Sequence, residues 1–129
     1  LHGFQTVDGS LHYFNDNGQQ VKGDFLYYGN DIYYFDKDNG NPVTNQFVNW
    51  KGNWYYFGND GKALLFDQVI NGQHLYFDYE GKQVKGDFVT DYKGTRYYDE
   101  NSGELVTNQT RTINGVTYHF DEIGRAKQL

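Results

Sequence analysis

Cysteine is absent from these 129 residues. Disulfide staples and thiolate metal sites are therefore excluded. Aliphatic residues are also scarce. Only 37% of the chain is hydrophobic and 19% is aromatic, so Tyr and Phe must supply most of any core. Excess positive charge is missing too. The formal net charge is −6, which argues against nucleic acid as a partner and gives no attraction to an anionic membrane. No apolar run approaches the roughly 20 residues that span a bilayer. The amino end, Leu1-His2-Gly3-Phe4, has neither the basic start nor the apolar stretch of a signal peptide. A repeat is already under way there, so the chain reads as a fragment of a larger protein. Sustained helical periodicity is lacking as well.

What is present is a repeat. Gly18, Gly40, Gly61, Gly81, Gly103 and Gly124 are separated by 22, 21, 20, 22 and 21 residues. Each follows an aromatic cluster: His12-Tyr13-Phe14, Tyr33-Tyr34-Phe35, Tyr55-Tyr56-Phe57, Leu75-Tyr76-Phe77, Tyr97-Tyr98 and Tyr118-His119-Phe120. Self-similarity at a period of about 20 residues marks a repeat architecture. A longer period overlies it, since Gly18 and Gly81, Gly40 and Gly103, and Gly61 and Gly124 are each 63 apart. The expected units are Gly3–Lys22, Gly23–Thr44, Asn45–Leu65, Phe66–Lys85, Gly86–Thr107 and Asn108–Leu129.

Each unit pairs an aromatic strand with Asn-, Asp- and Gly-rich turns, the chemistry of tight β-hairpins. A lone hairpin is marginal in water, but stacked hairpins bury a shared core. The expected fold is all-β: a solenoid of stacked β-hairpins, six units of about 21 residues with a 63-residue super-period. Three hairpins would complete roughly one structural period. Strand alternation separates two faces. Phe14, Phe35, Phe57, Phe77, Tyr98 and Phe120 share one, which is expected to be buried. Tyr13, Tyr34, Tyr56, Tyr76, Tyr97 and His119 share the other, which is expected to stay reachable because hydroxyls need water or a partner.

The sharpest local signal is a hexapeptide that occurs twice, Gln20-Val21-Lys22-Gly23-Asp24-Phe25 and Gln83-Val84-Lys85-Gly86-Asp87-Phe88. Val and Phe serve packing and Gly serves the turn. Gln and Lys can donate hydrogen bonds to a neutral polyhydroxylated ligand, or can simply flank an inter-repeat turn. Sugar rings present an apolar C–H face that packs on an aromatic ring. This places Tyr34 with Gln20 and Lys22, and Tyr97 with Gln83 and Lys85, as sugar-binding sets, against the plainer role of each tyrosine in core packing. The other junctions, Val43-Thr44-Asn45-Gln46 and Val106-Thr107-Asn108-Gln109, carry Thr for Lys and Asn for Gly, and Leu64-Leu65-Phe66 is wholly apolar.

No catalytic constellation appears. Asp36, Asp38, Asp78 and Asp99 sit by turn residues, where Asp is favoured for its backbone hydrogen bonds. A carboxylate pair for glycoside hydrolysis is the competing reading. His2, His12, His74 and His119 are scattered without metal-ligand spacing. The turn Asp36-Lys37-Asp38-Asn39-Gly40 echoes a calcium loop but lacks its downstream Glu. No metal and no cofactor are expected.

The pattern Gly-x-x-Tyr-Tyr-Phe-Asp-x-x-x-Gly-x-x-Val-Lys-Gly, carried by segments such as Gly9–Gly23 and Gly72–Gly86, resembles the cell-wall- and choline-binding-type repeats of Gram-positive bacteria. The Gln-Val-Lys-Gly junctions and the period near 63 are most similar to the glucan-binding domain of glycoside hydrolase family 70 glucansucrases. The resemblance spans essentially the whole chain. It implies a secreted or cell-surface protein with a non-catalytic β-solenoid that binds α-glucan, dextran or isomalto-oligosaccharides, with catalysis in a separate domain in cis. It carries sugar-binding roles onto Gln20, Lys22, Gln83 and Lys85, and onto Tyr34 and Tyr97. His119 stands where the pattern has tyrosine. Two other functions remain open. One is choline recognition on teichoic acids in an aromatic cage, a cage that favours Trp where this chain has only Trp50 and Trp54. The other is a structural spacer rod.

Overall fold

The computed structural model describes residues 3–129; Leu1 and His2, the latter one of the four scattered histidines, lie outside them. The described residues form strands and turns, with no helix among them. They divide into two compact units, Leu1–Leu64 and Leu65–Leu129.

The first unit holds β1 (Gly3–Val7), β2 (Ser10–Phe14), β3 (Asp24–Tyr28), β4 (Asp31–Phe35), β5 (Gln46–Trp50) and β6 (Asn53–Phe57). They pair antiparallel as β1–β2, β3–β4 and β5–β6. The second unit holds β7 (Phe66–Ile70), β8 (Gln73–Phe77), β9 (Asp87–Asp91), β10 (Gly94–Tyr98), β11 (Gln109–Ile113), β12 (Val116–Phe120) and β13 (Ala126–Gln128). Here the pairs are β7–β8, β9–β10 and β11–β12, with β13 added beside β12. The sequence expectation of an all-β fold of hairpins is met.

The hairpin tips follow from their residues. At Asn71-Gly72 both φ values are positive, 52° and 80°, so the two-residue turn matches the right-handed twist of its strands and closes the hairpin without splaying them. The tip Tyr92-Lys93 lacks positive φ, and the left-handed residue is Gly94 at 104°. A second kind of turn follows each aromatic strand. Asp36 accepts backbone hydrogen bonds from Asp38 and Asn39, Asp78 from Glu80 and Lys82, and Asp99 from Asn101 and Ser102. Three of the four acids considered for catalysis thus spend their carboxylates on their own turns.

Beyond that turn the chain returns for one bridge to the aromatic strand: Phe14 with Gln20, Phe35 with Pro42, Phe57 with Ala63, Phe77 with Gln83 and Tyr98 with Leu105. Backbone bonds then tie neighbouring hairpins, as from Ala63 N to Ile32 O at 2.8 Å and from Leu105 N to His74 O at 2.9 Å.

Packing inside each unit sets one hairpin face against the opposite face of the next. In the first unit Ile32, Val43, Tyr55 and Phe57 are buried, with Phe25, Tyr34, Val48, Trp50 and Ala63 against them. Phe25 stacks on Trp50 at 5.0 Å and meets Tyr55 edge-on at 4.7 Å. In the second unit the counterpart is Tyr97, Val106 and Phe120, with Phe88, Ile113, Tyr118 and Ala126. The face expected to be buried is buried: Phe35, Phe57, Phe77, Tyr98 and Phe120 are all at most 1% exposed, and Phe14 is half-buried. The tyrosine face departs from expectation. Tyr13, Tyr34, Tyr56 and Tyr76 are half-buried and Tyr97 is buried, while His119 is exposed. Stacking covers both faces of an inner hairpin, so a ring there serves as core first.

Candidate functional site

The single-bridge residues occupy one structural slot, and that slot explains Gln20 and Gln83. A side chain placed there covers the turn glycine of the following hairpin. A Cβ built on Gly40 would collide with the Gln20 amide and come within 3.3 Å of Lys22 Cγ. A Cβ on Gly103 would collide with the Gln83 amide and come within 3.2 Å of Lys85 Cγ. With φ of +73° and +75° respectively, both positions demand glycine twice over. A Cβ on Gly61 would come within 3.2 Å of Pro42 and one on Gly124 within 2.7 Å of Leu105, so these residues cover their glycines in the same manner. Apolar residues therefore suffice for packing in this slot. Where it holds Gln with Lys two residues on, the structure gathers an amide and an ammonium stem over one exposed turn.

The tyrosines chosen from sequence fall at different distances from these pairs. The Tyr34 ring belongs to the aromatic layer of the first unit, 5.3 Å from Phe25, 5.4 Å from Trp50 and 6.5 Å from Phe57. Tyr97 packs on Phe88 and Phe120 at 4.9 and 6.3 Å. Its hydroxyl also comes within 3.9 Å of where a Cβ on Gly86 would stand, beside the Gln83–Gly86 junction. There it borders a cavity of about 430 Å³ lined in part by Gly86, Glu100, Arg111 and Asn114. The structure thus joins Gln20 to Lys22 and Gln83 to Lys85, sets Tyr97 at the rim of its junction, and holds Tyr34 in a ring cluster.

Burial raises the Tyr34 phenol above its ordinary value, with Asp36 and Asp24 adding to the effect. Burial and Glu100 raise Tyr97, which Arg111 partly offsets. Both phenols remain protonated donors at neutral pH. Asp99 lies far below the usual carboxylate range, held first by the Ser102 backbone N–H and then by Arg111, whose Nη1 is 2.9 Å from it.

A second constellation escaped the sequence reading. Arg96, 4% exposed, donates from Nη1 to Asp67 at 2.9 Å and from Nη2 to Asp91 at 2.8 Å. Lys93 Nζ reaches Asp67 at 3.0 Å, and the Tyr98 hydroxyl donates to Asp67 at 3.4 Å. Burial drives the Tyr98 phenol far above its ordinary value, against the opposing pull of Arg96. The signal was present: Arg96 interrupts the series Tyr33, Tyr55, Leu75 and Tyr118, each two residues before the buried ring of its strand. A charged residue in an aromatic register needs counter-charges, here Asp91 from its own hairpin and Asp67 from the one before, and both acids stand where the preceding half has rings.

Comparison with known proteins places this geometry. The model of the choline-binding repeat matches residues 1–47 and 68–109, and that of a cell wall binding repeat matches residues 45–63. A glucosyltransferase-I of Streptococcus downei is 48% identical over 128 residues, 97% of this chain and 8% of that protein. A glucosyltransferase-I of Streptococcus mutans is 58% identical over 107 residues, 81% of this chain and 7% of that protein. The chain thus spans less than a tenth of the length of these two relatives. Among solved structures, choline binding protein F of Streptococcus pneumoniae superposes with a TM-score of 0.77 at 22% identity, covering 98% of this chain and 41% of that one. That likeness concerns the fold.

Proposed function

The chain belongs to the family of choline-binding repeats, and from that premise we propose that it is a non-catalytic module holding a neutral α-glucan, dextran or isomalto-oligosaccharide, in shallow pockets at its hairpin junctions. The observation that carries the reading is the pairing of Gln20 with Lys22 over Gly40, and of Gln83 with Lys85 over Gly103, in a slot that proline and leucine fill equally well elsewhere. Glutamine and lysine supply directional donors to hydroxyls, and Tyr34 and Tyr97, each on the hairpin that follows its pair, are the ring candidates. The streptococcal relatives are named for glucosyl transfer. This supports a module that serves a glucansucrase whose catalytic domain lies elsewhere in the same polypeptide, outside a Gram-positive cell.

Each pocket is shallow, so affinity comes from engaging one polymer at two places. Effective concentration then raises avidity by roughly 10²–10⁴ where the geometry permits. A neutral ligand and a chain of net charge −6 make binding nearly independent of salt.

Amide shifts followed by NMR during an isomaltotriose titration test this. Saturable shifts near Gln20–Tyr34 and Gln83–Tyr97, lost one site at a time in Lys22→Ala and Lys85→Ala, are expected. Silence in both segments at ~10 mM sugar sinks the proposal.

One observation favours a second reading, choline capture. Phe4, Tyr13, Tyr28 and Tyr33 form a ring cluster in the first unit, with Phe4 at 4.9, 5.0 and 5.3 Å from the other three. Aromatic faces of this kind attract quaternary ammonium. Choline shifting Phe4 and Tyr28, with no sugar response, would select it.

A further inference from the structure

The same ring cluster has a counterpart of opposite chemistry. At an offset of 63 residues, Phe4 corresponds to Asp67, Tyr28 to Asp91 and Tyr33 to Arg96. Three rings in contact in the first unit thus become one guanidinium clasped by two carboxylates in the second. The substitutions belong together, because Arg96, which is buried, would alone place a charge in the core without a partner.

The exchange also leaves space. Asp67, His74, Tyr92, Lys93, Arg96 and Ile123 are among the residues that line a cavity of about 760 Å³ within the second unit. Two features go beyond what a structural ion-pair cluster requires. Arg96 Nε is buried without a hydrogen-bond partner, a donor left over in a wall of the cavity. Tyr92 is 92% exposed at the hairpin tip, where the first unit has Gly29. In a chain that packs most of its rings, this one stands in solvent beside an opening, with Lys93 Nζ 5.7 Å from its centre.

Charge selects the ligand class. Lys93 and Arg96 are answered by Asp67 and Asp91, and Arg125 by Asp121 at 2.9 Å, so the wall offers an anion no unbalanced charge. Lys93, Arg96 and Arg125 stand in the same wall and Lys93 Nζ lies over the Tyr92 ring, so a cation meets like charge there. Paired charges, spare acceptor capacity on Asp67 and a bare aromatic ring suit a neutral polyol.

We propose that this cavity is a saccharide pocket separate from the two junction pockets, in which Tyr92 stacks on a sugar ring and Asp67, Lys93 and Arg96 hydrogen-bond its hydroxyls. It rests on the α-glucan reading above. The 63-residue offset then relates two sites of different kinds, one lined by rings and one by paired charges.

The test is isomaltotriose titration of the full chain by amide NMR, repeated with Tyr92→Ala, an exposed ring whose loss leaves the core intact. Saturable shifts at Tyr92, Lys93, Gly94 and Ile123 are expected, with an affinity about tenfold weaker in the variant and unchanged shifts at Gln20–Tyr34. Shifts at the junctions but none around Tyr92 would overturn this proposal and leave the glucan reading standing. Shifts around Tyr92 that keep their affinity in the variant would overturn the stacking role. A choline response at the same residues would overturn the neutral-ligand argument. Silence throughout would overturn both proposals.

Discussion

Replacing Arg96 with tyrosine, the residue at the matching place in the first unit, removes both hydrogen bonds that the guanidinium makes at 2.9 and 2.8 Å. A hydrogen bond to a charged group contributes about 1.5–3 kcal/mol when it is well buried. Arg96 is buried, but the Asp67 and Asp91 side chains are 35% and 26% exposed, and Asp67 keeps Lys93. Solvent screening therefore cuts the sum by about half, leaving a loss of about 1.5–3 kcal/mol. For a chain of this length about 4 °C accompanies each kcal/mol, so the thermal midpoint is expected to fall by about 6–12 °C. The triple variant Asp67→Phe, Asp91→Tyr, Arg96→Tyr installs the first unit's ring cluster. Edge-on aromatic pairs contribute about 0.5–1.5 kcal/mol each beyond their burial, so the triple variant is expected within about 1 kcal/mol of the parent. Thermal and urea unfolding followed by circular dichroism measure both. A single variant that melts within about 2 °C of the parent would show the ion pairs to be idle. A triple variant no better than the single would refute the equivalence of the two clusters.

Two further outcomes follow from local geometry. Gly40→Ala and Gly9→Ala both force alanine to positive φ, at +73° and +81°, costing about 1–2 kcal/mol each. Only Gly40 would also drive its Cβ into Gln20, since nothing lies within 4 Å at Gly9, so Gly40→Ala is expected to be the more destabilising and to abolish the sugar response at Gln20; equal melting losses would refute the slot argument. For Tyr98, burial raises the phenol far above its ordinary value, so the folded state holds the proton more tightly than the unfolded chain. Its contribution is fully present below pH ~10 and is lost as pH rises beyond it. In Tyr98→Phe the alkaline fall in urea midpoint is expected to flatten, and an unchanged fall would place its origin elsewhere.

Much of the fold was legible because hairpins are written locally. Asn71-Gly72 announces a tip, Asp36 and Asp99 announce turns that their own carboxylates close, and alternation puts Phe35, Phe57, Phe77 and Phe120 on one face. The candidate site was legible in part. Gln20, Lys22, Gln83 and Lys85 stood out by recurrence. Their placement over Gly40 and Gly103 could not be read, because it depends on a bridge to Phe14 or Phe77 and on the turn of the following hairpin. Tyr34 and Tyr97 were read as reachable because the alternation of a single strand says nothing of a second hairpin laid on its far side.

The sequence by itself determined the hairpins and their repeat, since turn chemistry and strand alternation act over a few residues. Tertiary structure alone decided which rings are core, which slot the glutamines fill, and that Arg96 meets Asp67. Those outcomes join residues 20–30 positions apart, or set one hairpin face on another, and the repeat pattern is the same whether the partner across that gap is a ring or a charge.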